Sequence, residues 1–416
     1  MFVVYEVLLY LVFLITAPFF LLLGFVRGKY LSNLRERMGF YRSKPSAHDL
    51  WIHAVSVGET IAARPVVVEI LKQRPATTIA FTTTTITGQA QAKRLYPHAT
   101  VTYFPFDFSF AVRRFLDHHQ PRAFATMETE IWPNVTRLAR QRGLRLVLAN
   151  GRISDRSFPR YRLLRPLLSH ILGRYDRVLA REETDRQRFI AIGAPAAIVE
   201  TSGNVKFDYE PDVAPLEVAA QLMSLIKERL VIVLGSTIEG EDEMLVPELE
   251  RFIKEMNGFA VIAPRKPERF EAVASLLATT SLRQIRRSEI DSASEADVLL
   301  LDSFGELAKI YRFAAVAFVG GSLVPVGGHN PIEPAAAGVP VCFGPSMTNF
   351  REIAQVFLDH GAAKQVESAA DVFAFARQMF TEETMRAEWG ERARLAVMQN
   401  RGASERTARR IVELLA

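Results

Sequence analysis

The chain has 416 residues, a length for two ordinary domains rather than one. Hydrophobic residues make up 49% and charged residues 23%, which fits a soluble globular body with something apolar attached. The formal net charge of +5 is too small to point to nucleic acid but suits anionic headgroups or phosphorylated substrates, and the single cysteine, Cys342, excludes an internal disulfide.

Residues 2–26 are almost all apolar, with Glu6 and Pro18 as interruptions. About 20 such residues suffice to span a bilayer as a helix. Arg27, Lys29, Arg35, Arg37 and Arg42 follow, and basic residues there keep that flank cytoplasmic. A cleaved signal peptide carries its basic residues first, so the order argues against one. Residues 1–27 are therefore expected to be a membrane anchor, either spanning or embedded with Glu6 near the headgroups. A buried core helix is the competing reading.

Beyond the anchor, short apolar runs alternate with amphipathic stretches. "LWIHAV" and "TIAFTTTT" read as strands, and "GETIAARPVVVEILKQ" and "TGQAQAKRLY" as the helices after them. "AFATME" and "RLVLAN" continue the series. The rhythm restarts at "RLVIVLGST", followed by "GFAVIAPR", "DVLLLD", "AAVAFVGGS" and "VPVCFGP". This is the βαβ pattern of a parallel sheet covered on both faces. The polar, proline-bearing "SGNVKFDYEPDVAP" marks a linker near residue 210, giving domains over 28–210 and 211–416. Two doubly wound halves facing a cleft place ligands at the carboxyl ends of the strands.

The loops after the strands carry the candidate chemistry. "SVGET" puts Ser56, Gly58 and Glu59 after a strand, with Glu59 either a general base or a residue favouring its helix N-terminus. "METEIWPN" brings Glu128 and Glu130 beside Trp132 and Pro133; continued extension would turn the two carboxylates to opposite sides. "APRKPERF" supplies Arg265 and Lys266. "DSFGEL" places Gly305 at a helix start, where backbone N–H groups cradle phosphate. "FVGGSLVPVGGHNPIEPAAAGVPV" holds paired glycines, which allow close backbone approach to a ligand or simply form tight turns. Glu333 follows them on a small-residue helix, positioned to accept from both ribose hydroxyls. The basic stretch Arg152, Arg156, Arg160, Arg162 and Arg165 suits an anionic lipid or is a solvated face.

"SVGET", "METEIWPN", "NGRIS", "GNVKFD", "APRKPERF", "DSFGEL" and "GGSLVPVGGHNPIEPAAAG" occur in that order. As a set they resemble the Kdo (3-deoxy-D-manno-octulosonic acid) transferases of lipid A assembly. The resemblance runs from the N-terminal helix to the closing helices. It implies the GT-B fold of two Rossmann-like domains, CMP-Kdo as donor, and an acylated, phosphorylated glucosamine disaccharide, the lipid A precursor, as acceptor. It also implies the cytoplasmic face of a bacterial inner membrane, with anionic lipids as surroundings and no nucleic-acid partner. By motif, Glu59 is the expected base, and Glu128 and Lys206 the expected stabilisers of the transition state. Pro264 and Arg265, then Phe304, Gly305 and Glu306, then Asn330, Pro331, Ile332 and Glu333 are expected to hold CMP. Two positions depart from the pattern, since Ile238 and Lys266 stand where histidines are expected. A donor with one phosphate can be met by Arg265, helix N-termini and Lys206, so no cofactor and no metal is expected. The alternatives are a membrane-associated transferase or epimerase using a UDP-sugar, and a membrane-tethered lipid-binding scaffold without activity.

Overall fold

In the computed structural model, residues 2–27, 33–210, 216–292 and 294–416 are described, the side chains of 19–27 excepted. The Arg27 side chain, Lys29 and the last residues of the expected linker, 211–215, lie outside that description. The chain divides into two units, Met1–Asp208 with Arg401–Ala416, and Tyr209–Asn400.

The first unit is built on a parallel seven-stranded sheet. Its strands are β1 (His48–His53), β2 (Ile79–Thr83), β3 (Thr100–Tyr103), β4 (Pro121–Met127), β5 (Arg145–Gly151), β6 (Arg177–Ala180) and β7 (Val199–Thr201), in the order β3-β2-β1-β4-β5-β6-β7. Leu50, Trp51 and Ile52 are all buried, as a strand covered on both faces requires. Trp51 stacks near Phe115 and Phe124, with ring centroids 4.2 and 4.1 Å away.

The helix Val57–Gln73 begins where Ser56 caps it, the hydroxyl accepting from the Glu59 N–H at 3.5 Å. Its buried stripe of Ala62, Ala63, Val66, Val67 and Ile70 follows the helical period. Each fully buried large side chain contributes about 1.5–3 kcal/mol. That stripe shares a core with Ala403, Ala408, Ile411 and Leu415 of the closing helix Ala403–Leu415. The Asp208 carboxylate caps this helix, accepting from the Gly402 and Ser404 N–H groups at 2.6 and 2.5 Å. The chain's end therefore belongs to the first unit, not to the second as the 211–416 division expected.

Phe2–Arg27 is a helix, but among the described residues no helix is long and apolar enough to cross a membrane. Its first turns pack on the first unit. Glu6 accepts from the Ser109 N–H and hydroxyl at 3.1 and 2.7 Å and lies 3.8 Å from Arg137. Tyr5 donates to Asp107 at 2.8 Å, and Tyr10 stacks on Phe108. Glu6 is thus not a headgroup contact. A carboxylate in an apolar helix needs partners, and this one finds them in the protein. The opposite face leaves Val4, Leu8, Leu11 and Ile15 exposed.

The second unit carries another parallel seven-stranded sheet: β8 (Val231–Thr237), β9 (Phe259–Pro264), β10 (Gln284–Arg286), β11 (Val298–Leu300), β12 (Val316–Val319), β13 (Val341–Phe343) and β14 (Ala363–Gln365). Their order is β10-β11-β9-β8-β12-β13-β14. At the end of β12 the backbone runs so close to β8 that a Cβ on Gly320 would stand 2.5 Å from the Ser236 carbonyl oxygen, so only glycine fits there.

Candidate active site

In the first unit the expected residues gather at the carboxyl edge of the sheet. Glu59 lies just past β1. Its two oxygens accept from the Val55 N–H at 2.7 Å and the Ser56 hydroxyl at 3.2 Å. It is therefore part of its helix cap, and it keeps its carboxyl group close enough to Glu128 to feel that charge. Burial, then the negative charge of Glu128, push its pKa up to about 7, with the Val55 N–H opposing. A carboxyl group poised near neutrality is what proton abstraction at that pH needs.

Glu128 follows β4 with φ of 58°, in the left-handed region. The extension expected through "METE" stops there, so alternation no longer governs where the two glutamates point. Glu130 accepts from the Trp132 indole N–H at 3.0 Å. Glu128 meets cations instead: Arg181 Nη2 is hydrogen-bonded to its Oε1, and Lys206 Nζ lies 3.6 Å from the same oxygen. Burial alone raises the pKa of Glu128, but Arg181, Lys206 and Arg152 outweigh it and hold the group below the ordinary carboxylate range. Burial lowers the pKa of Lys206, and Glu128 opposes that shift. Asp208, the acid nearest Lys206 in the sequence, is engaged in capping the closing helix.

Arg181 did not stand out in the sequence reading. It follows the short β6, whose "RVLA" is too brief to announce a strand, and it is buried at the same edge. Reading every strand end for charge finds it.

In the second unit Arg265 and Lys266 follow β9, and both are exposed. The Arg265 N–H donates to the Thr237 carbonyl at 2.8 Å, tying the ends of β8 and β9 together. Asn330 donates to Glu333 Oε1 at 3.2 Å, and its own oxygen accepts from the Ile332 N–H at 3.1 Å. Burial raises the pKa of Glu333, while Asn330 and Arg265 oppose. Pro331 and Ile332 are buried beneath them. Phe304 is 64% exposed, and Gly305 has φ of 81° with open space above it. The helix after Gly305, Leu307–Ile310, is a single turn, so it offers little of the dipole expected there. The Glu306 carboxylate is bound by Arg287 at 2.9 Å, and Ser303 also donates to it.

A second residue that sequence reading passed over is Glu241. One buried carboxylate accepts four backbone N–H groups: Gly321 at 2.6 Å, Ser322 at 2.8 Å, Leu323 at 2.9 Å and Ile238 at 3.2 Å. It fixes the glycine loop after β12 against the end of β8. Gly328 closes the loop by donating to the Gly321 carbonyl at 2.6 Å. The His329 ring packs on Gly321, and burial, then Arg265, push its pKa down to about 4. Ile238, where histidine was expected, is buried and contributes its backbone N–H to Glu241. Acidic residues opening a helix are common, which hid Glu241 among its neighbours.

Two parallel α/β units, each with charged groups collected at the carboxyl edge of its sheet, are the architecture of the GT-B fold. The UDP-GlcNAc 2-epimerase of Neisseria meningitidis shares the fold, with a TM-score of 0.57 at 13% identity over 89% of this chain and 99% of that one. Residues 32–209 match the family model of the 3-deoxy-D-manno-octulosonic-acid transferases (kdotransferases). A 3-deoxy-D-manno-octulosonic acid transferase of Haemophilus influenzae is 35% identical over 392 residues, 92% of each chain. One of Bordetella pertussis is 36% identical over 383 residues, 89% of this chain and 88% of its own. The chain belongs to this family and is a glycosyltransferase.

Proposed function

We propose that the chain transfers Kdo from CMP-Kdo to an acylated, phosphorylated glucosamine disaccharide, the lipid A precursor, with inversion. The observation that carries this reading is Glu59, a half-buried carboxyl group with a pKa of about 7 at the end of β1. In its ionised form it takes the proton from the acceptor hydroxyl as CMP leaves from the opposite side of the sugar. Glu128, Lys206 and Arg181 form the charged group beside it, and Lys206 is the cation offered to the charge that develops in the transition state.

Arg265 binds the single donor phosphate. Glu333, held by Asn330, takes the ribose hydroxyls, and Pro264, Phe304, Gly305, Pro331 and Ile332 frame the nucleotide. Glu306, engaged by Arg287 and Ser303, serves through its backbone. A monophosphate leaving group bears little enough charge for these residues alone, so the reaction proceeds under strong chelation.

The protein works at the cytoplasmic face of the inner membrane, held there by the exposed face of its first helix rather than by a span. Val4, Leu8, Leu11 and Ile15 support this reading. The basic residues nearby suit anionic lipids.

Incubation of the purified chain with CMP-Kdo and a tetra-acylated lipid A precursor, in EDTA, is expected to give a product heavier by one Kdo residue or more. CMP is expected to compete and UDP not to. An unchanged acceptor mass, or inhibition by UDP in place of CMP, overturns the proposal.

A further inference from the structure

The carboxyl edge of the first sheet carries one more cation, on the side of Glu59 away from Glu128. Arg37 ends the short helix Leu34–Arg37. Its Nη2 is hydrogen-bonded to the Thr84 carbonyl, one residue past β2. Its guanidinium carbon lies 4.9 Å from the Tyr103 ring at the end of β3 and 5.7 Å from the Phe106 ring. These contacts fix the group without neutralising it. Among the described residues no carboxylate stands within ion-pair distance of it. The adjacent Glu36 instead accepts from the Tyr103 N–H at 3.3 Å.

Two residues connect this cation to the base. Arg37 donates to the Thr84 carbonyl, the Thr84 N–H donates to the Val55 carbonyl at 3.1 Å, and the Val55 N–H donates to Glu59 at 2.7 Å. The strand order β3-β2-β1-β4 gives the same relation. Thr84 past β2 and Val55 past β1 carry the partners of the two side chains on neighbouring strands about 4.8 Å apart, and a single phosphorylated sugar is long enough to touch both. A half-buried guanidinium without a counter-ion is costly in the free protein, and its planar fork matches the oxygens of a phosphate.

We propose that Arg37 binds a phosphomonoester of the acceptor, carried on the sugar whose hydroxyl faces Glu59. This rests on the acceptor assigned above. Arg37 thus sets the orientation of the acceptor from one side, while Glu59 acts on its hydroxyl.

The test is a cycle of two acceptors and three proteins in neutral detergent, where no lipid headgroup supplies the charge. The acceptors are the phosphorylated lipid disaccharide and the same compound after removal of its phosphates. The proteins are the wild type, Arg37→Ala and Arg37→Lys. With wild type, removing the phosphates is expected to raise the acceptor KM by about ten- to a hundredfold, the worth of a hydrogen bond to a charged group. Arg37→Ala is expected to raise KM to a similar extent on the phosphorylated acceptor, with little change in kcat, and to add little further loss on the other. Arg37→Lys, which keeps the charge but not the fork, is expected to fall between, and it carries the test alone if the alanine variant does not fold. Equal losses on both acceptors would make Arg37 a brace for Thr84 and Tyr103 and overturn the proposal. A wild type that turns over neither acceptor overturns the acceptor assignment, and the proposal with it.

Discussion

Glu59 holds its proton to about pH 7 partly because Glu128, at the end of the neighbouring strand, stays ionised beside it. Burial is the larger cause for Glu59, and the three cations around Glu128 are what keep that second carboxylate charged. The base must be ionised to act, so kcat/KM is expected to rise with pH and level off above an apparent pKa near 7. Glu128→Gln removes the repulsion and is expected to move that rise to lower pH, in addition to lowering the plateau. A profile that stays in place in the variant would break the link between the two residues.

Replacing Glu59 by Gln is expected to abolish turnover while leaving CMP binding nearly unchanged, because the amide takes no proton and the residues proposed to hold CMP lie in the other unit. Its stability effect has the opposite sign. The folded pKa of about 7 exceeds the ordinary 4.5, so ionising Glu59 destabilises the fold progressively between those values. The penalty is on the order of 3 kcal/mol once complete. Glu59→Gln is therefore expected to gain melting temperature over wild type as pH rises from about 4.5 to 7. Melting curves across that range check it, and a constant difference would mean that burial does not strain the carboxylate.

Glu241 acts differently, since one side chain holds the loop after β12 that is proposed to face the donor. An amide at this position keeps one acceptor oxygen and turns an NH2 toward backbone N–H groups that have no other partner. Glu241→Gln is expected to cost about 1–3 kcal/mol of stability. It is also expected to raise the KM for donor more than it lowers kcat, since the loop moves but the base does not. Thermal melts and donor titrations measure both. A melt that falls with unchanged donor KM would confine Glu241 to the fold.

Much of the alternating fold is legible in the sequence because the central strands are continuous apolar runs with capped helices between them. The edge strands are not: β3 has only "TVTY", partly exposed, and β7 and β14 have three residues each, too short for any period to register. The site divides in the same way. Glu59 and Arg265 follow strongly patterned strands and can be placed from them. Arg181 follows a weak one, and the role of Glu241 depends on a loop some eighty residues away in the chain. The first helix misleads for a physical reason. Its composition is that of a membrane span, whereas the partners of Glu6 and Tyr5 are visible only in three dimensions.

That helix yields a test of attachment. Tyr5, Glu6 and Tyr10 face the protein, while Val4, Leu8, Leu11 and Ile15 share the exposed side at helical spacing. Changing Leu8, Leu11 and Ile15 to Ser is expected to weaken binding to anionic vesicles strongly, each buried aliphatic chain being worth about 1.5–3 kcal/mol. The melting temperature in detergent and activity on detergent-dispersed acceptor are expected to change little. Glu6→Ala is expected to do the reverse, leaving Ser109 and Arg137 without their carboxylate and lowering the melting temperature. Vesicle flotation and melts on both variants separate the two faces. Equal effects on both would make the helix a core element throughout.

Arg265 and Lys206 are the two cations that the proposed reaction calls on, one in each unit, and their settings differ. Arg265 is exposed and held by its backbone to Thr237, with no side-chain hydrogen bond among the described residues. It is free to meet a phosphate in the ground state and the transition state alike, which lowers KM without raising kcat. Lys206 is three-quarters buried and already lies 3.6 Å from Glu128. Its ammonium is oriented before the reaction begins, and a preoriented charge acts most where charge develops. Arg265→Ala is therefore expected to raise the KM for CMP-Kdo, with kcat nearly intact. Lys206→Ala is expected to lower kcat by about one to two decades, the worth of a charge-assisted contact of roughly 1.5–3 kcal/mol. Removing Lys206 also leaves Glu128 with less positive charge beside it, which raises the pKa of Glu128 and, as that group protonates, lowers that of Glu59. The loss in Lys206→Ala must therefore be read on the alkaline plateau, where both carboxylates are ionised. Single-turnover rates at saturating donor make the distinction. Normal turnover in Lys206→Ala on that plateau would leave Lys206 as a counter-ion to Glu128 and remove it from the chemistry.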